Sequence, residues 1–294
     1  MACASPFAVK GPSPVAERSI LNSLYPRGSG GAAGRRSCGK GDRRMCEGGG
    51  LERQVREYWD RDAATYDRSA GHDPRTQAEL AVWAAALRRL LPPPPARVLD
   101  AGAGTGFLSL LLARQGYRVT ALDLAPAMLA QLSAKAQWRG LSVEIVEGNA
   151  ATPPGEGYDA VVERHLVWTL PDPRAALEAW RRAAPTGTLV LLESIWGPNA
   201  GPLDQLRSRA RILLRQLRNQ PSDHHAEYGA DLRSELPFGS GTTPELLVDL
   251  VESTDWGPAR VERLRDVEWA TREAMVSPVD RLLGVTPRFA VTAG

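Results

Sequence analysis

The chain has 294 residues, of which 43% are hydrophobic and 24% charged, as is ordinary for a globular protein with a sizeable core. Residues 1–46 carry a net charge of +6 and residues 47–294 a net charge of −4, which argues against nucleic acid as the main partner of the folded part. All three cysteines lie in residues 1–46, which excludes a disulfide, a thiolate zinc site and a cysteine nucleophile from the remainder, and no apolar run approaches the ~20 residues that span a bilayer.

Residues 1–50 are rich in Gly, Ser, Pro and Arg and have little hydrophobic periodicity, which predicts a disordered basic tail. Two interpretations stay open for it. It is typical of an organelle transit peptide, or the start codon has been assigned too early and Met45 is the true start. The scarcity of Lys relative to Arg favours the second, so we expect a cytoplasmic protein, with organelle import as the alternative.

From residue 51 the pattern is that of one folded domain, 51–294, which opens with a helical segment over 51–95. Helices are predicted at 51–60, 63–66 and 76–91 in this segment. Strands and helices then alternate, with strands at 97–100, 117–122, 142–147, 158–163 and 187–194 and helices at 105–115, 126–138 and 173–183. This alternation predicts an α/β fold whose mostly parallel sheet is covered by helices on both faces.

Beyond Trp196 the alternation breaks. An insertion at about 199–240 contains a basic amphipathic helix over 203–219, and its place between the fifth and sixth strands predicts a helical cap over the ligand crevice. A helix at 244–253 and strands at 259–267 and 288–292 complete the expected elements.

The most informative segment joins the first strand to its helix and reads Asp-Ala-Gly-Ala-Gly-Thr-Gly over 100–106. Glycines let the backbone approach a nucleotide-like ligand at a helix N-terminus, and Asp123, which ends the next strand, can accept both hydroxyls of a ribose. The spacing differs from the G-x-G-x-x-G of dinucleotide sites, and the Asp100 carboxylate would repel a pyrophosphate. A ligand with a positive charge near the loop is therefore favoured over a nicotinamide cofactor, and an ordinary tight turn is the other alternative.

This segment resembles the first motif of class I S-adenosylmethionine-dependent methyltransferases. Residues 52–196 are similar to the small-molecule methyltransferases of ubiquinone and menaquinone biosynthesis, the methyltransferase type 11 domain. The resemblance implies a Rossmann-like, seven-stranded sheet whose last strand is antiparallel. It also implies S-adenosylmethionine as cofactor and transfer of its methyl group to an O, N, S or C nucleophile of a small molecule.

The same resemblance assigns the cofactor-binding residues. The loop would hold the methionine part, Asp123 the ribose, and Leu124 and Met128 the adenine. Asn149 stands where the family often has Asp, and its carbonyl oxygen can accept a hydrogen bond from the adenine amino group. The complete predicted set is Asp100, Ala101, Gly102, Gly104, Gly106, Asp123, Leu124, Met128, Asn149 and Ala150.

Two residues, His165 and Tyr66, are candidates for chemistry at the methyl acceptor. Arg164 and His165 follow the fourth strand, where the family places substrate-facing side chains, and the pKa range of histidine suits a general base. Tyr66 lies in a segment that resembles the one folding over the cofactor in the family, and it would bind the cofactor carboxylate or lie beside the transferred methyl. A structural histidine and a core tyrosine are the corresponding alternatives.

No metal site is expected. A polar cluster at 223–227 contains His224 and His225 but lacks the spacing of metal ligands, so we interpret it as a solvated loop. Aromatic residues at 196, 228, 238 and 256 are candidates to line the acceptor pocket.

Three other functions stay open. An RNA or protein methyltransferase would use the basic helix 203–219 as its platform, and a strong dependence of nucleic-acid binding on salt would support it. A module that binds S-adenosylmethionine without catalysis and a nicotinamide-dependent oxidoreductase are the others.

Overall fold

The computed structural model of the chain describes residues 43–69, 71–195, 201–217 and 230–294. Seven strands form one sheet: β1 (Arg97–Ala101), β2 (Arg118–Asp123), β3 (Glu144–Glu147), β4 (Ala160–Arg164), β5 (Thr188–Ser194), β6 (Arg260–Arg263) and β7 (Arg288–Ala293). Their order across the sheet is β3-β2-β1-β4-β5-β7-β6.

Only the last strand of this sheet runs against its neighbours. β1 to β5 pair in parallel, and β7 pairs antiparallel with β5 on one side and with β6 on the other. The predicted α/β fold, with a mostly parallel seven-stranded sheet and an antiparallel last strand, is confirmed.

Ten α-helices lie within the described residues. They are α1 (Arg43–Asp62), α2 (Gln77–Leu90), α3 (Phe107–Arg114), α4 (Pro126–Arg139), α5 (Pro173–Ala183), α6 (Pro202–Leu217), α7 (Ala230–Glu235), α8 (Pro244–Glu252), α9 (Arg265–Glu273) and α10 (Pro278–Leu283). Single 3-10 turns cover Tyr66–Arg68 and Val167–Thr169.

The sheet is buried on both faces because successive strand residues point to opposite sides. In β1, Val98 belongs to a core cluster with Leu87 of α2 and Leu112 of α3. Its neighbour Leu99 belongs to the opposite cluster, with Trp180 of α5. Strands covered by helices on both faces are apolar almost throughout, which is why the sequence pattern located them well.

Helix α2 begins where its sequence predicts. The Thr76 hydroxyl accepts a hydrogen bond from the Glu79 backbone N–H at 3.1 Å, which satisfies one of the free donors of the first turn. The four prolines at 92–95 follow its end, because proline cannot continue a helix.

Several boundaries differ from the predictions. Helix α1 begins at Arg43, inside the segment that was predicted to be disordered, and residues 63–65 form a turn rather than a helix. The strand predicted over 259–267 is wrong at its end, since β6 stops at Arg263 and α9 follows from Arg265.

Parts of the predicted insertion lie outside the described residues, namely 196–200 and 218–229, which include Trp196, Tyr228 and the polar cluster at 223–227. Within the described residues, no helix combines the length and the apolar character that a membrane crossing requires.

Candidate functional site

A cleft opens at the carboxyl edge of the parallel strands, between the glycine loop and helix α1, and has a volume of about 820 Å³ including its part open to solvent. In an open α/β sheet this edge is where ligands bind. Nine of the predicted site residues line it: Tyr66, Gly102, Gly104, Asp123, Leu124, Met128, Asn149, Ala150 and His165.

The other three predicted residues do not line the cleft. Asp100 is 1% exposed, and its carboxylate accepts a hydrogen bond from the Ser109 hydroxyl at 2.5 Å. Burial raises the pKa of Asp100 to about 7. Ala101 is fully buried in β1, and Gly106 caps the start of α3. These residues support the loop from behind, and Asp100 is not in direct reach of a ligand in the cleft.

Two glycines of the loop have different reasons to lack a side chain. Both have a positive φ, +69° at Gly102 and +54° at Gly104. A Cβ on Gly102 would lie 2.7 Å from Cδ1 of Leu166, whereas a Cβ on Gly104 would meet no atom within 4 Å. Gly104 therefore leaves open space in the cleft, which is the room that a ligand lying against the backbone needs.

Asp123 is fixed at the end of β2 by the loop itself. Its Oδ2 accepts a hydrogen bond from the Gly104 N–H at 2.7 Å, and its Oδ1 accepts one from the Ala125 N–H at 2.8 Å. Each carboxylate oxygen has a second lone pair, so both can still accept hydrogen bonds from the two hydroxyls of a ribose. Burial raises the pKa of Asp123, and the backbone donors oppose that shift.

Both polar atoms of the Asn149 side chain form hydrogen bonds within the protein. Its Oδ1 accepts from the Ala151 N–H at 2.8 Å, and its Nδ2 donates to Oε2 of Glu52 at 2.9 Å. Glu52, from helix α1, lines the cleft beside it and was missed by the sequence reasoning. A carboxylate therefore lies at the adenine end of the predicted site after all, supplied by a different element.

His165 holds an unusual backbone conformation at the end of β4. Among the described residues it is the only one other than glycine with a positive φ, +60°. Its Nδ1 lies 3.1 Å from Oε2 of Glu193, which is 1% exposed in β5. Burial, with the nearby charge of Arg164, holds the pKa of His165 well below its usual range, so the imidazole is neutral.

Glu193 is the second residue that the sequence reasoning missed. Its signal was one acid inside the otherwise apolar strand Thr188–Ser194, where an ionisable group needs a partner. Burial raises the pKa of Glu193 well above its usual value, as it does for Glu163, whose pKa reaches about 8. Glu163 accepts a hydrogen bond from the Leu166 N–H at 2.8 Å and fixes the turn that follows β4.

Tyr66 packs in an aromatic group above the cleft. Its ring stacks on His72 at 4.1 Å and meets Trp59 edge-on at 5.8 Å between centroids. Burial raises the pKa of the Tyr66 phenol, so at neutral pH it donates hydrogen bonds and does not act as a base.

The segment around Tyr66 is tied to the glycine loop through Asp67. The Asp67 carboxylate accepts hydrogen bonds from the Thr105 hydroxyl at 2.6 Å and from the Lys135 ammonium at 2.7 Å. The segment that resembled a cofactor-covering segment is thus positioned directly over the loop.

Two predicted acceptor-pocket aromatics lie elsewhere. Trp256 is 2% exposed in the core, where its Nε1–H donates to the Leu177 carbonyl at 2.9 Å, and Phe238 packs against the same core. No described residue of the insertion lines the cleft. The described part of the chain also contains no group of three or more His, Cys, Asp or Glu that could hold a metal ion.

The sheet order, the single antiparallel strand and the glycine loop paired with an acid at the carboxyl edge define the class I methyltransferase fold. Residues 99–191 match the family model described as "Methyltransferase domain". This part of the chain is therefore similar to the domain of that family.

Relatives with known names match over the same region. The chain is 42% identical over 104 residues to a demethylmenaquinone methyltransferase of Thermus thermophilus, a match that covers 34% of this chain and 47% of that protein. It is 41% identical over 106 residues to a ubiquinone biosynthesis O-methyltransferase of Xanthomonas campestris, covering 33% and 43%. The chain thus spans less than half the length of these relatives.

The fold extends beyond the matched region. A geranyl diphosphate C-methyltransferase from Streptomyces coelicolor, solved with S-adenosyl-L-homocysteine, superposes with a TM-score of 0.53 and 14% identity over 83% of this chain and 97% of its own. A magnesium protoporphyrin IX methyltransferase from Synechocystis gives a TM-score of 0.50 with 16% identity, over 82% and 99%. These similarities concern the fold.

Proposed function

We propose that the protein is an S-adenosylmethionine-dependent methyltransferase that acts on a small molecule. The observation that carries this proposal is the pairing of Gly104 and Asp123 in one cleft, where an open backbone surface lies beside a carboxylate that can bind a ribose. The match of residues 99–191 to the methyltransferase domain supports it.

The residues of the cleft suit this cofactor part by part. Gly102 and Gly104 would hold the amino-acid end and Asp123 the ribose, while Leu124 and Met128 offer apolar surface to the adenine. Glu52, held by Asn149, offers the carboxylate that accepts the adenine amino group. When bound, S-adenosylmethionine supplies an activated methyl group on a sulfonium.

The protein's own contribution is orientation and proton handling. In the tautomer whose Nδ1–H is accepted by the side-chain carbonyl oxygen of Glu193, Nε2 of the neutral imidazole is free to take a proton from the acceptor. Holding the acceptor nucleophile in line with the methyl group would supply much of the remaining acceleration.

Two features favour a small acceptor over a macromolecule. Apolar and aromatic side chains, among them Trp59, Leu124 and Met128, line the cleft beside a few polar groups, as in small-molecule sites. The described part of the basic helix α6 contributes no residue to the cleft, and its Arg211 donates to the Gly284 carbonyl of the same domain at 2.9 Å. The names of the relatives make hydroxylated aromatic and quinone precursors the first acceptors to test.

Calorimetry on the full chain tests the cofactor assignment. The wild type is titrated with S-adenosylmethionine and, separately, with NADH, and Asp123→Ala is compared with Arg182→Gln, a change at an exposed residue of α5. We expect S-adenosylmethionine alone to bind and Asp123→Ala to weaken it by about 1–3 kcal/mol, the value of a charge-assisted hydrogen bond. Binding of NADH alone, or equal affinity in both variants, would contradict the proposal.

A further inference from the structure

Arg164 brings a positive charge to the cleft that no described carboxylate neutralises by direct contact. Its guanidinium lies 4.0 Å from the ring centre of Phe107 and 5.7 Å from that of Trp83. One Nη donates to the Gly71 carbonyl, while Nε is buried and has no hydrogen-bond partner. Since Arg164 also lines the cleft, part of its donor set is available to a ligand.

A second guanidinium lies against the same indole. Arg288, the first residue of β7, is 5.8 Å from the ring centre of Trp83, and its buried Nε likewise has no partner. Burial and the charge of Arg164 lower the pKa of Arg288 to about 9. Two cations in one poorly solvated place cost free energy, which an incoming anion would offset.

The acids around this pair are occupied by other donors. Asp100 accepts from Ser109, Glu163 from the Leu166 N–H, and Glu193 lies against His165. Glu79 and Glu268, the two acids whose charges act on Arg288, accept from the Arg75 N–H and from Arg263. None of these carboxylates lies within 4.0 Å of a guanidinium nitrogen of Arg164 or Arg288, so neither arginine forms an ion pair with them, and Arg164 lines the cleft.

We infer that Arg164 binds a carboxylate inside the cleft, with Arg288 as the second positive charge behind it. The inference rests on the proposed function and adds the chemical class of the group recognised. A guanidinium presents planar, paired donors that match a carboxylate, and each such bond is stronger than one between neutral groups.

The carboxylate could belong to the cofactor or to the methyl acceptor, and the position of Arg164 is compatible with both. Phe107, under its guanidinium, is the first residue after the glycine loop, so the amino-acid carboxylate of S-adenosylmethionine is within the same region. His165, the proposed base, follows Arg164 in the chain and lines the same cleft, so an anionic group on the acceptor is the other source.

The first arm of the test asks about the cofactor. Calorimetry on the full chain compares S-adenosylmethionine with its decarboxylated analogue. If Arg164 binds the cofactor carboxylate, the wild type prefers S-adenosylmethionine about tenfold or more, as expected for a charge-assisted hydrogen bond. Arg164→Gln removes that preference, and the exposed-site control Arg182→Gln keeps it.

The second arm asks about the acceptor. The protein is saturated with S-adenosylhomocysteine and titrated with benzoate and with the neutral benzamide. If Arg164 binds an acceptor carboxylate, the wild type prefers benzoate by a similar factor, and Arg164→Gln binds both probes equally. Arg164→Lys, which keeps the charge and loses the planar donors, provides the comparison should the Gln variant fail to fold, and we expect it to lose most of the preference.

A preference in either arm that depends on Arg164 supports the inference and identifies the source. No preference in either arm, or a preference that is unchanged in both Arg164 variants, overturns it. Failure of the wild type to bind S-adenosylmethionine at all counts against the proposed function, and that result is distinct from binding without a carboxylate preference.

Discussion

His165 has a strained backbone conformation that the surrounding structure stabilises. A left-handed conformation costs a residue with a Cβ about 1–2 kcal/mol, and the surrounding structure maintains it here at φ +60°. Such strain is concentrated where a side chain must be aimed at a ligand. The buried carboxyl of Glu193 lies against Nδ1, so it influences which ring nitrogen carries the proton.

The proposal that His165 acts as a base gives a pH prediction. Burial holds its pKa well below 6.5, so the base stays unprotonated, and methyl transfer stays fast, to a lower pH than free imidazole would allow. We expect single-turnover rates to fall only as the pH drops through that lowered pKa. His165→Gln should slow transfer to a hydroxylated acceptor by about 10²–10⁴-fold with unchanged cofactor affinity.

Glu193→Gln is the matched variant for the same experiment. Its amide can donate to Nδ1 and so leave the proton on Nε2, the nitrogen that must accept one, so we expect a rate loss approaching that of His165→Gln. A full rate in both variants, with the acceptor bound, would show that no base is needed at this position.

The hydrogen bond between Glu52 and Asn149 shows why one residue of the site could be predicted from the sequence and the other could not. Asn149 was identified through the resemblance of its segment to a family motif that lies just after a strand. Glu52 lies almost a hundred positions earlier on an exposed helix, and nothing local distinguishes it from any solvated acid. Glu193 similarly acquires its meaning only when β5 is placed beside β4.

At the scale of elements, two glycines of the turn between β1 and α3 have different roles, one in folding and one in binding. Gly106 has φ +91°, and a Cβ there would overlap the side chain of Leu132, whereas the space in front of Gly104 is empty. Both positions disfavour a side chain through their backbone angles, but only Gly106 is also packed against the core.

Alanine at each of these two glycines should therefore have a different effect. We expect Gly106→Ala to lower the free energy of unfolding by about 3 kcal/mol, the sum of left-handed strain and overpacking. Gly104→Ala should cost only about 1–2 kcal/mol of stability but should clearly weaken the binding of S-adenosylmethionine. Urea unfolding and calorimetry measure the two effects, and identical behaviour of the variants would refute this division.

The elements that the sequence located well are those whose own residues are apolar enough to require burial. The central strands belong to this class. Helix α9 does not: it is anchored by Glu268, whose carboxylate binds Arg263 at 3.0 Å and the Arg288 N–H at 2.8 Å. These partners come from β6 and β7. The prediction extended the strand to residue 267 because contacts made outside this segment decide that a helix begins there.

At the scale of the whole molecule, buried acids make stability depend on pH. The pKa of Asp100 is about 7 in the folded protein and near 3.8 in an unfolded chain. The folded state therefore binds a proton that the unfolded state has lost between these values. The stabilisation is complete below about pH 4 and is lost as the pH rises through 7.

Asp100→Asn isolates this contribution, because its amide oxygen can still accept from Ser109. We expect the free energy of unfolding of the wild type to fall relative to the variant between pH 4 and 8, by as much as about 4 kcal/mol. Urea denaturation followed by tryptophan fluorescence across this range is the measurement. Parallel curves for the two proteins would mean that Asp100 is ionised throughout.

Helix α1 has a consequence for the traffic of ligands. It closes one side of the cleft with Glu52 and is held by the packing of Val55 and Tyr58 against Leu236 and by two polar contacts, Arg56 to Glu147 at 2.9 Å and the Ala127 N–H to Asp60 at 2.9 Å. The exposed Arg56–Glu147 ion pair contributes at most about 1 kcal/mol, so the apolar packing provides most of the attachment. Salt screens the ion pair and leaves the apolar packing in place, so we expect the rate at which a bound molecule leaves the cleft to depend only weakly on ionic strength.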